Sequence, residues 1–177
     1  MATNSRTMTS EERGKLVASI AQMRTSLTKA VRWQSSLRRA QTEDLENGVV
    51  TEEAFHFTET KRLQEHEHGG LIYFLRTVDN RVYVLFDYES QDLGVDEQDP
   101  LTSTFRPHEK FVMARAPKSR MILGNRFFGG QLELPTPMPI TVPPSKWPTF
   151  EAYCDTPWEQ LDTKFCRPTT GSRRRRR

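Results

Sequence analysis

Hydrophobic positions recur near the start of the chain with the period of a helix. Leu16, Ile20, Met23, Leu27, Ala30 and Leu37 follow a 4-3 spacing that Gln34 interrupts, and basic residues fill the flanks. The pattern predicts one amphipathic helix over Arg13–Gln41, on the order of 40 Å long at ~1.5 Å per residue. Thr9 followed by Glu12 fits a capping box for its start, and Asn47-Gly48 is its stop signal. Three heptads are also compatible with a homodimer through this helix, with Gln34 as the polar seam residue that sets register.

Past Gly48 the period changes. Ala54–Gln64 alternates cleanly only at Phe55 and Phe57, which leaves a strand and a short helix begun at Thr51 both open. "LIYFLRTV" and "RVYVLFDYE" are two β-rich runs joined across Asp79-Asn80. They predict a hairpin, and their nearly unbroken apolar content predicts central strands covered on both faces. "KFVMARAP" and "RMILGNRFFGGQLEL" add two or three strands, with Gly129-Gly130 as a bend or bulge. Six prolines between Pro135 and Pro148 predict an extended arm without regular pairing.

These elements predict an α+β fold: a long N-terminal amphipathic helix packed on an antiparallel sheet, then a Pro-rich extended arm and a disordered basic tail. The expected segments are a flexible start at 1–8, the α+β domain at 9–134, the arm at 135–148, a short C-terminal segment at 149–166 and the Arg-rich tail at 167–177.

Charge refines the picture. The formal net charge is +3, yet Arg13–Gln41 holds seven basic residues and no acid, and Arg173–Arg177 are five consecutive arginines. Against them stand eight acids in Glu43–His68 and six in Asp87–Asp99. Five adjacent guanidiniums repel one another, so their favourable use is against a polyanion, where each forks onto phosphate oxygens. Arg173, Arg174, Arg175, Arg176 and Arg177, aided by Arg38 and Arg39, are the candidate nucleic-acid contacts. The helix stripe itself packs on the protein's own sheet in the simpler reading, with arginines covering its edges. Asp87–Pro100 reads as an acidic loop that would pair with the tail, through Asp92, Asp96, Glu97 and Asp99, when no polyanion is present.

Other chemistry is sparse. His56, His66 and His68 alternate like strand residues, but no fourth ligand at fixed spacing accompanies them; a solvated turn is the expectation and no metal is assigned. The acidic loop lacks the ligand pattern of an EF-hand. "GNRFFGG" lacks the Lys-Ser/Thr of a P-loop. Phe127-Phe128 with Arg126 is the arrangement with which a sheet stacks bases, whereas Tyr73, Phe74, Tyr83 and Phe86 read as core. Two cysteines, Cys154 and Cys166, do not make a zinc site or a disulfide framework. With no secretory signal and no apolar run near the ~20 residues of a membrane span, the expected compartment is cytoplasm or nucleus.

The sequence therefore points to a non-enzymatic nucleic-acid-associated protein without a cofactor, binding RNA or DNA with little sequence preference while its body contacts a protein partner. A regulator or a component of a nucleoprotein particle, including a viral one, fits that description. The alternative is a protein-binding adaptor or effector whose arginine tail is only a nuclear-targeting signal.

Overall fold

Thr9 and Glu12 form the capping box that their spacing dictates. The Thr9 amide donates to Glu12 Oε2 at 2.8 Å and the Glu12 amide donates to Thr9 Oγ1 at 3.2 Å, satisfying two helix-terminal donors reciprocally. The computed structural model in which this is seen describes residues 2–25, 31–65, 70–87 and 106–166. Among the described residues the elements are β1 (Ala2–Thr7), α1 (Ser10–Thr25), α2 (Val31–Asn47), β2 (Val49–Gln64), β3 (Leu71–Thr77), β4 (Val82–Asp87), β5 (His108–Arg115), β6 (Ile122–Gln131), β7 (Met138–Pro139), β8 (Ala152–Cys154) and α3 (Leu161–Phe165). The chain divides into two compact units, residues 1–55 with 110–128 and residues 56–109 with 129–177.

In the first unit, β1 runs antiparallel to the start of β2, with Ala2 opposite Ala54 and Thr7 opposite Val49. β5 neighbours β2 and β6 neighbours β5. α2 ends as Asn47-Gly48 requires. Gly48 takes φ +64°, a left-handed conformation that costs glycine little, and its amide donates to the Asp44 carbonyl at 3.0 Å. The Asp44 side chain, 1% exposed, accepts from the amides of Lys118 and Ser119 and from Ser119 Oγ, each at 2.8 Å. One carboxylate thereby fastens the β5–β6 turn to α2. Met8, Leu16, Val50, Ala116 and Leu123 form the apolar centre beneath.

In the second unit, the later part of β2 pairs antiparallel with β3, β3 with β4, and β4 with β8. The β3–β4 hairpin is the one expected across Asp79-Asn80. Asn80 adopts φ +60°, and Thr77 closes the loop by donating from Oγ1 to the Arg81 carbonyl and accepting from the Arg81 amide. Leu71–Leu75 and Val82–Leu85 are all buried, as central strands should be. Leu63, Ile72, Phe74, Val82, Val84, Ile140, Trp158, Leu161 and Phe165 make the core.

Three expectations are corrected. The single helix over Arg13–Gln41 does not form; two helices stand there, and the fold is a mostly antiparallel sheet with three short helices instead of a long helix packed on a sheet. The apolar stripe suits two shorter helices equally well, and Thr25, Ser26 and Thr28 put three hydroxyl residues, which compete for backbone bonds, into the middle of the run. The start expected to be flexible is β1. Of the two alternatives for Ala54–Gln64 the strand forms: Glu53, Phe55 and Phe57 are buried, then Thr60 and Arg62, because an irregularity between Phe57 and Glu59 shifts the parity of the buried face. Within the Pro-rich arm, Met138–Pro139 pairs parallel with Leu63 and Gln64 of β2, and the Ile140 amide donates to the Gln64 carbonyl at 2.9 Å.

Candidate nucleic-acid interface

Charge is also divided between the two units. Residues 1–55 with 110–128 carry 13 basic against 7 acidic side chains, a balance of +6; residues 56–109 with 129–177 carry 13 against 16, a balance of −3 that includes Arg173–Arg177. The first unit is the cationic one.

Several of its acids are already occupied. Arg6 donates to both oxygens of Glu12, at 2.7 and 3.0 Å, and to Glu52 Oε1 at 2.7 Å. The bidentate Arg6 contact, with help from the Thr9 amide and hydroxyl, lowers the Glu12 carboxyl to about 2 against the opposing effect of its burial. The same bonds raise the Arg6 guanidinium further above its ordinary value. Glu53, 7% exposed, accepts from Arg115 Nε at 3.2 Å and from Arg120 Nη2 at 2.7 Å.

Arg6, Glu12 and Glu52 form one side of a depression of about 170 Å³, whose other lining is Val112, Ala114, Gly124, Asn125 and Arg126. On β6, Leu123 is buried and Phe127 stacks on Phe111 with ring centroids 4.4 Å apart. Gly124, Arg126 and Phe128 face the other way, since side chains alternate along a strand. Arg126 is exposed, its guanidinium carbon 5.8 Å from the centre of the Phe128 ring, and Phe128 is 43% exposed. On β5, Phe111 and Met113 are buried, and Lys110 is exposed on the side opposite to them.

Of the residues singled out from sequence, Arg38 and Arg39 are both exposed on α2. Arg39 Nε holds Glu43 Oε1 at 2.9 Å, an i,i+4 pair with 83% of the arginine side chain in solvent. Arg173–Arg177 lie outside the described residues, as do residues 88–100 of the expected acidic loop, His66 and His68, while Asp87 is the buried end of β4. His56 is exposed on β2. Among the described residues, no group of three or more His, Cys, Asp or Glu side chains is arranged to hold a metal. Cys154 and Cys166 are free thiols, and burial raises the Cys166 thiol, which leaves it a poor nucleophile. The "RFF" reading separates into two roles: Phe127 packs and Phe128 is presented. Tyr73, Phe74 and Tyr83 are buried, and Phe86 stacks on Phe150 at 4.7 Å. Lys110 and the Arg6–Glu12–Glu52 group escaped the sequence reading; the Thr9–Glu12 box was the one signal available for the latter. No helix among the described residues is long and apolar enough to cross a membrane. No protein-family profile, curated protein or solved structure matches this chain.

Proposed function

We propose that this chain is a non-enzymatic nucleic-acid-associated protein that grips phosphates through Arg173–Arg177, with Arg38 and Arg39 as further contacts, and uses its folded body for protein contacts. The observation that carries the reading is the separation of charge: a folded unit of balance +6 and, at the far end of the sequence, five consecutive arginines. Binding is by counterion release with little reading of base sequence, the property expected of a regulator or of a structural component of a nucleoprotein particle.

The test is fluorescence anisotropy with a labelled single strand and a labelled duplex across a salt series, for the full chain and for the chain lacking Arg173–Arg177. The full chain binds both probes at low salt. Removing the tail weakens both and flattens log K against log salt by about 4.5 on duplex and about 3.5 on single strand if all five arginines reach phosphates. An unchanged slope sinks the role of the tail. Absence of binding at low salt sinks the whole reading and leaves the adaptor, for which the exposed Pro143, Pro144 and Lys146 of the arm are the docking feature.

A further inference from the structure

We propose that the β5–β6 face carrying Lys110, Gly124, Arg126 and Phe128 is a binding site for single-stranded nucleic acid, with a base stacked on the Phe128 ring and a phosphate held by Arg126. The inference rests on the nucleic-acid reading above and adds to it a site in the folded body, separate from the tail.

Three observations converge on this face. An aromatic ring is presented to solvent: Phe128 is 43% exposed, while its neighbour Phe127 is spent on Phe111. Leaving a ring of that size in water is unfavourable unless something covers it. A guanidinium stands beside the ring, with Arg126 5.8 Å from its centre, so a base seated on Phe128 brings its phosphate within reach of a cation on the same face. The surface next to Arg126 is open. A Cβ at Gly124 would meet nothing within 4 Å, and the adjoining depression includes Val112, Ala114, Gly124 and Asn125 in its lining.

From Gly124 to Phe128 the strand runs roughly 13 Å, and a sheet face bearing aromatics takes about two or three bases. Charge selects the occupant. The residues on this side of the two strands, Lys110, Val112, Gly124, Arg126 and Phe128, with Ala114 buried among them, include two cations and no acid. Glu12 and Glu52, the carboxylates lining the depression, are both held by Arg6. The unit to which all of these belong has the +6 balance. A ring projecting from a sheet reaches a base only when the base is unstacked, which selects single strands over duplex.

The experiment uses the full-length chain, a labelled twelve-nucleotide oligothymidylate and a duplex of the same length, at low salt. Phe128→Ala is expected to weaken oligothymidylate binding on the order of 5- to 150-fold, the effect of losing one base–aromatic stack, and to leave duplex binding within about twofold. Phe128→Trp is expected to restore single-strand affinity, and Arg126→Ala to reduce the single-strand salt slope by about 0.7. Unchanged oligothymidylate affinity in Phe128→Ala overturns the site while leaving the tail reading intact. Equal losses on both probes, or a failure of Phe128→Trp to rescue, also overturn it by making Phe128 a support of the fold. If the unmodified chain binds neither probe, both proposals fall.

Discussion

Glu12→Gln isolates the charge in the first-unit network. The substitution keeps an acceptor for the Thr9 amide, because glutamine also closes a capping box. It removes the negative charge that Arg6 meets at 2.7 and 3.0 Å. The carboxyl is lowered from its ordinary 4.5 to about 2, which corresponds to about 3 kcal/mol of preference for the ionised form in the folded state. Arg6 has 36% of its side chain in solvent, so screening brings the expected loss to about 2 kcal/mol. With a urea slope of roughly 2 kcal/mol per molar, the unfolding midpoint should fall by about 1 M at pH 7. Circular dichroism at 222 nm is the suitable readout, since α1 and α2 both belong to the first unit. The sign of the pH dependence follows from the lowered pKa: the unfolded state binds the proton more tightly, so this stabilisation is complete above about 4.5 and is lost as pH falls through about 2. The gap between the unmodified chain and Glu12→Gln should therefore be full at pH 7, smaller at pH 3.5 and closed near pH 2. A gap of equal size at pH 7 and pH 3 would refute the electrostatic account, and no gap at pH 7 would refute the role of the pair.

Two further perturbations test how the first unit is held. Asp44→Ala deletes the carboxylate that accepts three bonds from Lys118 and Ser119; it should cost about 2–3 kcal/mol and lower Tm by roughly 6–10 °C, and a Tm within about 2 °C of the unmodified chain would contradict the fastening role. Glu53→Ala leaves Arg115, 8% exposed, without its carboxylate and should cost about 3–5 kcal/mol. Arg120→Ala removes the other partner, a side chain 58% exposed, and should cost under about 1 kcal/mol; the reverse order in urea unfolding would show that burial does not govern this pair.

What the residues disclosed was local. The capping box at Thr9, the Gly48 stop and the hairpin around Asp79-Asn80 each depend on a few neighbouring residues with specific backbone demands, and each forms. The stripe over Arg13–Gln41 does not specify a single helix, because periodicity reports which face is apolar but not how many helices share it. β2 was obscured by its own irregularity, which moves the buried positions from Phe55 and Phe57 to Thr60 and Arg62. Prolines in the arm remove only their own donors; Ile140 keeps its amide and uses it on Gln64. As for the site, Arg38 and Arg39 were legible as surface cations. Lys110 was not, because nothing local says that residues 110–128 join residues 1–55 in one unit.

That long-range joining changes what the charge balance means. Read along the chain, the basic run of Arg13–Gln41 is followed at once by the acids from Glu43 onward, and the two cancel. In the folded unit they do not cancel in the same way. Asp44 is turned onto backbone amides, Glu53 onto Arg115 and Arg120, and Glu12 and Glu52 onto Arg6. With Glu11 on Lys15 and Glu43 on Arg39 at i,i+4, six of the seven acids make short contacts within the unit, and each of these contacts would have to break before the carboxylate could turn to another cation. Lys110 is exposed on β5, and Arg126 lines a depression whose two carboxylates, Glu12 and Glu52, are both held by Arg6, with the Phe128 ring beside it. A net charge of +3 therefore understates the attraction that this face offers to a phosphate backbone, since the field near a surface is set by which charges are engaged and where they lie, not by their sum.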